Sequence, residues 1–182
     1  MQETNLRIRL YGDPVLRKKA VKVKEVTDSH REILKKMAQL MYEASGIGLA
    51  APQVGISESM IVVDCGSGLY KLINPKVVKK EGWQVLQEGC LSVPGVCIKV
   101  KRARKVLVKA QDEYGNHVEI EAEDLLACVL QHEIEHLTGK LIVDYASFFE
   151  KLKMADKLKE LKKRSKDERL SESKDKSCQL QL

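Results

Sequence analysis

A short run in the last third of the chain carries two histidines four residues apart, with a glutamate between them. It reads Gln-His-Glu-Ile-Glu-His over residues 131–136. Residues four apart on a helix lie on one face, so His132 and His136 can bind one metal ion at about 2 Å from each ring nitrogen. Glu133 flanks that face and can act as a general base without being a ligand. The alternative is a solvated, charged helix end. Apolar residues on the same face favour a pocket wall instead; they are Leu125, Cys128 and Val129.

The third ligand of such a centre is left open by spacing alone. A catalytic metal site needs three protein ligands and one open position. Glu150 or Glu160 would give an arrangement like that of thermolysin-like peptidases, but both have lysine neighbours, which favours surface ion pairs. A cysteine thiolate is the other choice. Cys90, in Glu-Gly-Cys-Leu-Ser, is a modest favourite because Gly89 permits close backbone approach and a turn that exposes the sulfur.

A third segment, residues 46–55, is made of small and apolar residues with a single amide side chain, that of Gln53. It lacks the Lys-Ser/Thr ending of a phosphate-binding loop. It could be a tight crossing between chain segments. It could also be a backbone edge that binds an extended peptide, with Gln53 donating to a carbonyl oxygen.

The elements that position these residues are predicted to form an α+β domain, since strands and helices do not alternate regularly. The apolar stripe of the last helix comprises Phe148, Leu152, Ala155, Leu158 and Leu161. Glycine at 139 suits the cap of the middle helix. The predicted helices are 29–44, 124–137 and 147–164, and the predicted strands are 60–64, 70–74 (halted by Pro75), 105–111 and 117–123.

Length, charge and cysteine content limit the classes of protein to which the chain can belong. The 182 residues predict one domain, and the net charge is +6. Residues 151–182 carry +5 of that charge, which argues against a nucleic-acid groove across the body. We expect a catalytic domain over residues 1–164 and a disordered basic tail over residues 165–182. Five cysteines without paired spacing, a polar N-terminus and the absence of a long apolar run predict a cytoplasmic protein with no membrane contact.

Three segments in order resemble the motifs of the peptide deformylases. Residues 46–53 resemble Gly-φ-Gly-φ-Ala-Ala-x-Gln, residues 88–92 resemble Glu-Gly-Cys-φ-Ser, and residues 132–136 resemble an H-E-φ-D-H helix. The resemblance covers about residues 6–147. It implies a small α+β enzyme with antiparallel sheets packed around a central metal-binding helix, followed by a C-terminal helix. It also implies the activity, removal of the formyl group from the N-terminal formylmethionine of newly synthesised proteins.

The resemblance implies a role for each matching residue. Cys90, His132 and His136 would hold one divalent metal ion, Fe²⁺ in the first place, with Zn²⁺ or Ni²⁺ as substitutes. Glu133 would be the general base and acid, and Gln53 and the backbone N–H of Leu91 would bind the developing oxyanion. The residues expected to bind the formylmethionyl nascent peptide are Ile47, Gly48, Gly89, Leu125, Cys128 and Val129.

The basic C-terminal helix and tail suggest a further partner, the ribosome, whose surface is largely anionic RNA. A merely solvated helix end is the alternative. The competing functions are a thermolysin-type zinc peptidase and a non-enzymatic protein that docks on RNA.

Two positions depart from the family pattern. Glu135 stands where the family usually has Asp, and one extra methylene changes its reach. After Pro94-Gly95 the family often has an Arg that would order the site and pair with Glu88, whereas this chain has Val96-Cys97.

Overall fold

The computed structural model describes residues 6–167, which fold into two antiparallel sheets, four α-helices and three short 3-10 helices. This α+β architecture confirms the expected fold class. The helices are α1 (Asp28–Glu43), α2 (Asp124–His136), α3 (Phe148–Lys153) and α4 (Ala155–Asp167). The strands are β1 (Gly48–Ala50), β2 (Met60–Val63), β3 (Tyr70–Glu81), β4 (Gln84–Glu88), β5 (Ile98–Arg102), β6 (Lys105–Gln111) and β7 (His117–Glu123). The 3-10 helices are Pro14–Arg17, Ala51–Val54 and Ile142–Tyr145.

The larger sheet has the strand order β1-β2-β3-β6-β7, and β4 pairs with β5 in a separate two-stranded sheet. The side chains of β2 pack against a helix on each face of the larger sheet. Met60 and Val62 pack with α1 in one core cluster, whereas Ile61 and Val63 pack with α2 in another. Because successive side chains of a strand point to opposite faces, a strand buried on both faces is apolar throughout. The sheet therefore lies between α1 and α2.

Strand β3 corrects one prediction. Pro75 was expected to end the strand at residue 74, but β3 continues to Glu81 and pairs with β6. The pairing register shifts between Ile73 and Lys76, so the missing N–H of Pro75 falls where the regular ladder is interrupted. The hairpin formed by β6 and β7 has the predicted boundaries.

The predicted helix 147–164 is two helices, interrupted at Met154. Phe148 and Leu152 are exposed, whereas Leu158 packs half-buried against the core and Leu161 is fully buried in it. Helix α4 ends at Asp167, so residues 165–167 of the expected tail are helical. Residues 168–182 lie outside the described part of the chain. Within residues 6–167, no helix is long and apolar enough to cross a membrane.

Candidate metal centre

Helix α2 carries both histidines and lies against the larger sheet. Its residues Ala127 and Leu130 are fully buried in the same core cluster as β2. Gly139, at φ +79°, closes the C-terminal end, where its N–H donates to the carbonyl of His136 at 3.1 Å. The N–H of residue 140 donates to the carbonyl of Glu135 at 3.2 Å, which completes a Schellman ending. The core and this cap fix where α2 presents its last turn.

Three soft or borderline donors converge at that turn. The Sγ of Cys90 and one donor nitrogen each of His132 and His136 lie within 4.8 Å of one another, and all three residues are buried. The Nε2 atoms of the two histidines are 3.2 Å apart, and Cys90 Sγ is 3.3 Å from His136 Nε2. Ligands around a tetrahedral ion with bonds of about 2.0–2.3 Å are roughly 3.3–3.7 Å apart. The donor set and its spacing therefore fit a single metal ion.

A buried carboxylate orients the first of these imidazoles. Glu88, at the end of β4, is fully buried and lies 2.8 Å from His132 Nδ1. Arg102, at the end of β5, donates through Nε and through Nη2 (2.7 Å) to the two oxygens of Glu88. Burial alone would raise the pKa of Glu88, but the hydrogen bonds from His132 and Arg102 outweigh it and lower the pKa to about 2. Glu88 is therefore an anion that holds the His132 ring by its second nitrogen.

The same guanidinium reaches Glu135, the residue that departs from the family pattern. Arg102 Nη1 donates to Glu135 Oε2 at 3.1 Å. The hydroxyl of Tyr145 donates to the other oxygen of Glu135. The two oxygens of the longer Glu side chain thus reach different partners, and Lys140 Nζ also lies 3.4 Å from Oε1.

Arg102 is the functional residue that sequence reasoning missed. The family pattern places an arginine that would pair with Glu88 directly after Gly95. In this chain the partner of Glu88 is Arg102, at the end of β5. The signal was available, because Ile98 and Val100 are the buried positions of β5 and Arg102 is the next residue in that alternation. A charged residue at an inward strand position requires a buried counter-ion.

Glu133 is buried beside the three donors, and burial raises its pKa to about 7, against the attraction of His132 and Arg102. Its Oε2 is one of three buried side-chain polar atoms without a hydrogen-bond partner among the described residues. Its other oxygen lies against Gly48 of β1. A Cβ built on Gly48 would be 2.9 Å from both Cγ and Cδ of Glu133, so any side chain at this position would displace that of Glu133.

Gln53 approaches the donors from the 3-10 helix after β1. Its Nε2 lies 3.5 Å from Cys90 Sγ and 3.2 Å from Ser92 Oγ, and its Oε1 accepts from the N–H of Ala50 at 2.8 Å. The amide is therefore fixed with its N–H₂ group directed at the thiol side of the site.

A cleft opens over these residues and brings together most of the predicted substrate-binding positions. Leu125 and Cys128 are not among the residues that line it. Cys128 is fully buried, and its thiol donates to Glu88 at 3.1 Å, while Leu125 is half-buried against the core of the larger sheet. The cleft is lined by Gly46, Ile47, Gly48, Gln53, Gly89, Cys90, Leu91, Val129, His132 and Glu133.

The two acidic residues considered as alternative third ligands lie elsewhere. Glu150 accepts hydrogen bonds from the N–H and hydroxyl of Ser147 at the start of α3. Glu160, on α4, pairs with Lys157 and Arg164. Among the described residues, the metal-ligating group that includes the two histidines is completed by Cys90.

Comparisons with known proteins agree with this geometry. The model of the polypeptide deformylase family matches residues 5–152. A peptide deformylase of Halothermothrix orenii is 52% identical over 141 residues, which cover 76% of this chain and 92% of that protein. The crystal structure of a Legionella pneumophila peptide deformylase superposes with a TM-score of 0.83 at 40% identity, covering 91% of this chain and 99% of the other. A Synechococcus elongatus peptide deformylase in complex with actinonin gives a TM-score of 0.81 at 41% identity, covering 87% and 88% of the two chains.

Proposed function

Because the chain belongs to the polypeptide deformylase family, we propose that the cleft beside α2 is its active site, with Cys90, His132 and His136 as metal ligands. The enzyme is a metal-dependent hydrolase that removes the formyl group from the N-terminal formylmethionine of newly synthesised proteins. The observation that carries the assignment of residues is the convergence of these three buried donors beside the buried Glu133. We propose that it acts in the cytoplasm, on chains emerging from the ribosome.

The ion is proposed to be Fe²⁺, with Zn²⁺ or Ni²⁺ as substitutes. A thiolate with two imidazoles is a ligand set that suits these ions and disfavours Mg²⁺ or Ca²⁺, which prefer oxygen. When bound, the metal acts as a Lewis acid that acidifies a water molecule and polarises the formyl oxygen.

Glu133 is proposed to move the protons of the reaction. Its carboxylate is buried beside the three donors, and Oε2 has no hydrogen-bond partner among the described residues, which suits a group that accepts a proton at one step and donates it at the next. It takes a proton from the attacking water and returns it to the amine that leaves. Gly48 keeps the carboxylate in place, because β1 lies against it without an intervening side chain.

The developing negative charge is proposed to be stabilised by Gln53 and by the backbone N–H of Leu91. The Gln53 amide is held by Ala50 and directed at the Cys90 side of the cleft, so it needs little reorganisation during the reaction. Removing one such preorganised donor typically costs about 100- to 1000-fold in kcat.

The peptide is proposed to bind along β1, which is an edge strand of the larger sheet. An edge strand offers main-chain groups to an extended peptide, and Gly48, which lines the cleft, would supply them next to Glu133. The methionine side chain would lie against Ile47, Gly89 and Val129, which line the cleft. Leu125 would extend this surface from one helical turn before Val129, whereas Cys128 is bonded to Glu88 and does not take part.

Contact with the ribosome is proposed to use α3 and α4. Residues 148–167 contain eight basic and four acidic side chains, a net of +4. A groove between α4 and the 3-10 helix Ile142–Tyr145 adds Arg17 to Lys151, Lys159 and Lys162. Such a surface favours association with RNA phosphates by a salt-dependent term.

The test uses two cysteine variants with the same chemical change. Cys90→Ser should lose the metal and hydrolysis of formyl-Met-Ala. Cys65→Ser, at a half-buried free cysteine outside the donor group, should keep both. Glu133→Ala should bind one metal ion per chain while turnover collapses. Retention of the metal by Cys90→Ser, or its loss in Glu133→Ala, would contradict the proposed roles.

A further inference from the structure

Behind the metal centre, a short series of polar side chains leads outward from Arg102. Glu135 accepts from Arg102 Nη1 at 3.1 Å and from the hydroxyl of Tyr145. That hydroxyl in turn accepts from Lys140 Nζ at 2.6 Å. Lys140 Nζ also lies 3.4 Å from Glu135 Oε1, so this partly exposed lysine contacts both the tyrosine and the glutamate at the outer end of the series.

Tyr145 contacts Arg102 in a second way. Its ring centroid lies 5.4 Å from Arg102 Cζ and 3.8 Å from Lys140 Nζ, so one ring lies beneath both cations. The 3-10 helix that carries Tyr145 begins with Ile142 and Val143, both buried in the core. The ring is consequently attached to a rigid part of the fold rather than to an independent loop.

We propose that Tyr145, held by Lys140, is a positioning residue of the metal centre that acts through Glu135 and Arg102. This inference rests on the proposed function, because it concerns how the proposed ligands are oriented.

The geometry supplies the mechanism. Arg102 uses Nε and Nη2 to hold Glu88, and Glu88 holds His132 by Nδ1. The third guanidinium nitrogen, Nη1, is held by Glu135. Fixing all three nitrogens fixes the plane of the guanidinium and therefore the plane of the carboxylate that it binds in a bidentate manner. The orientation of a metal-binding imidazole depends on the partner of its second nitrogen.

The test uses Tyr145→Phe, which keeps the ring beneath the two cations and removes only the hydroxyl. The full-length protein is loaded with Co²⁺, and the ligand-field absorption and the rate of Co²⁺ release to a chelator are measured, together with the melting temperature of the metal-free protein. Direct partners of ligands typically contribute 10- to 100-fold in metal affinity; for this more remote residue we expect release to be on the order of 5-fold faster. The absorption should change, and the metal-free melting temperature should stay close to that of the unmodified protein.

Tyr42→Phe is the matched control. It removes another tyrosine hydroxyl that donates to a carboxylate, Asp64 at 2.6 Å, and it should leave Co²⁺ release unchanged. Lys140→Met provides a second variant and should accelerate release in the same direction by a smaller factor.

A double-mutant cycle tests the route. If Tyr145 acts through Glu135, adding Tyr145→Phe to Glu135→Ala should produce no further change in Co²⁺ release. A lower melting temperature of Tyr145→Phe with unchanged release and absorption would overturn the inference and leave only a structural role. Equal effects in both backgrounds would also overturn it. If the unmodified protein binds no Co²⁺ through Cys90, the proposed ligands themselves are wrong, which is a different result from a silent Tyr145→Phe.

Discussion

The contact between Gly48 and Glu133 gives the sharpest prediction of the structure. In Gly48→Ala, the new Cβ would lie 2.9 Å from Cγ and from Cδ of Glu133. Carbon atoms in favourable contact are about 3.5–4.0 Å apart, so the carboxylate must move by at least roughly 0.6 Å. Gly48 does not have a positive φ, so alanine at this position causes no backbone strain. The effect should therefore fall on Glu133 and not on the fold.

The magnitude follows from the proposed role. A displacement near 1 Å of a catalytic group can cost on the order of 100-fold, and general acid–base catalysis contributes about 100- to 10,000-fold in total. We expect kcat/KM for formyl-Met-Ala to fall about 100-fold in Gly48→Ala, equivalent to about 2.7 kcal/mol of transition-state stabilisation. Metal content should remain near one per chain, and the free energy of unfolding should change little.

Two further variants separate crowding from other causes. Gly46→Ala makes the same change two residues earlier, where the new Cβ would meet the terminal Cδ1 of Leu91 at 2.8 Å. A leucine methyl can rotate away, so the loss should be much smaller. Adding Glu133→Asp to Gly48→Ala shortens the crowded side chain, and the double variant should lose less than the sum of the two single losses. Crowding of Glu133 is refuted as the cause if the kcat/KM of Gly48→Ala stays within about threefold of that of the unmodified protein. It is also refuted if Gly48→Ala loses its metal together with its activity.

Three other predictions concern a buried ion pair, the choice of substrate and the stability at acid pH. Arg102→Met removes the cation bound to the fully buried Glu88, and urea unfolding should show a loss of about 3–5 kcal/mol. Arg104→Met, at an exposed ion pair, should change the unfolding free energy far less, and equal losses would contradict the buried pair. Because a charge entering an apolar cleft must be desolvated, formyl-Asp peptides should be hydrolysed much more slowly than formyl-Met peptides, and equal rates would exclude an apolar side-chain pocket. Burial acts to raise the pKa of Asp144, but the hydrogen bond from Arg17 outweighs it and the pKa falls below 3.8. The pair therefore stabilises the fold at neutral pH, and its contribution is lost as the pH falls from the ordinary aspartate pKa through the lowered one. Asp144→Asn should make the unfolding free energy less steep with pH at the acid end of a pH titration, and an unchanged slope would contradict the pairing.

Much of the fold follows from local patterns in the sequence. Helix α2 begins at the predicted residue and ends within one residue of its predicted end, because its apolar periodicity and the glycine at 139 act locally. The hairpin of β6 and β7 follows from alternation on either side of one turn. By contrast, β3 continues beyond Pro75 because β6 offers it a partner, and pairing with a distant strand outweighs the local preference.

The break between α3 and α4 shows that a regular local pattern can also predict too much structure. One apolar stripe predicted one helix, but Leu161 is buried in a core cluster that also contains Leu10 and Leu16 of the N-terminal segment, and no local pattern connects these residues to it. Phe148 and Leu152 have no such partners among the described residues and remain exposed. Periodicity identifies a face that can be buried, whereas burial depends on which part of the chain meets it.

In the metal centre, too, residues close together in the sequence are predicted more reliably than residues brought together by the fold. The sequence identifies His132, His136 and Glu133 because they lie on one helix, where spacing alone determines geometry. It leaves Cys90 a modest favourite, since that residue reaches the centre from another segment. The two departures from the family pattern are resolved only in three dimensions. The guanidinium bound to Glu88 comes from Arg102, so Glu88 is paired although there is no arginine at positions 96–97.

The extra methylene of Glu135 is accommodated in the same network, because its two oxygens reach different partners, Arg102 and Tyr145. A shorter carboxylate at this position would have to move closer to one partner or the other. The consequence of each departure therefore depends on the other, since Arg102 is both the partner that Glu88 requires and the partner that Glu135 reaches. Along the chain the two positions are a longer carboxylate and a missing arginine; in the fold both belong to one network around Arg102.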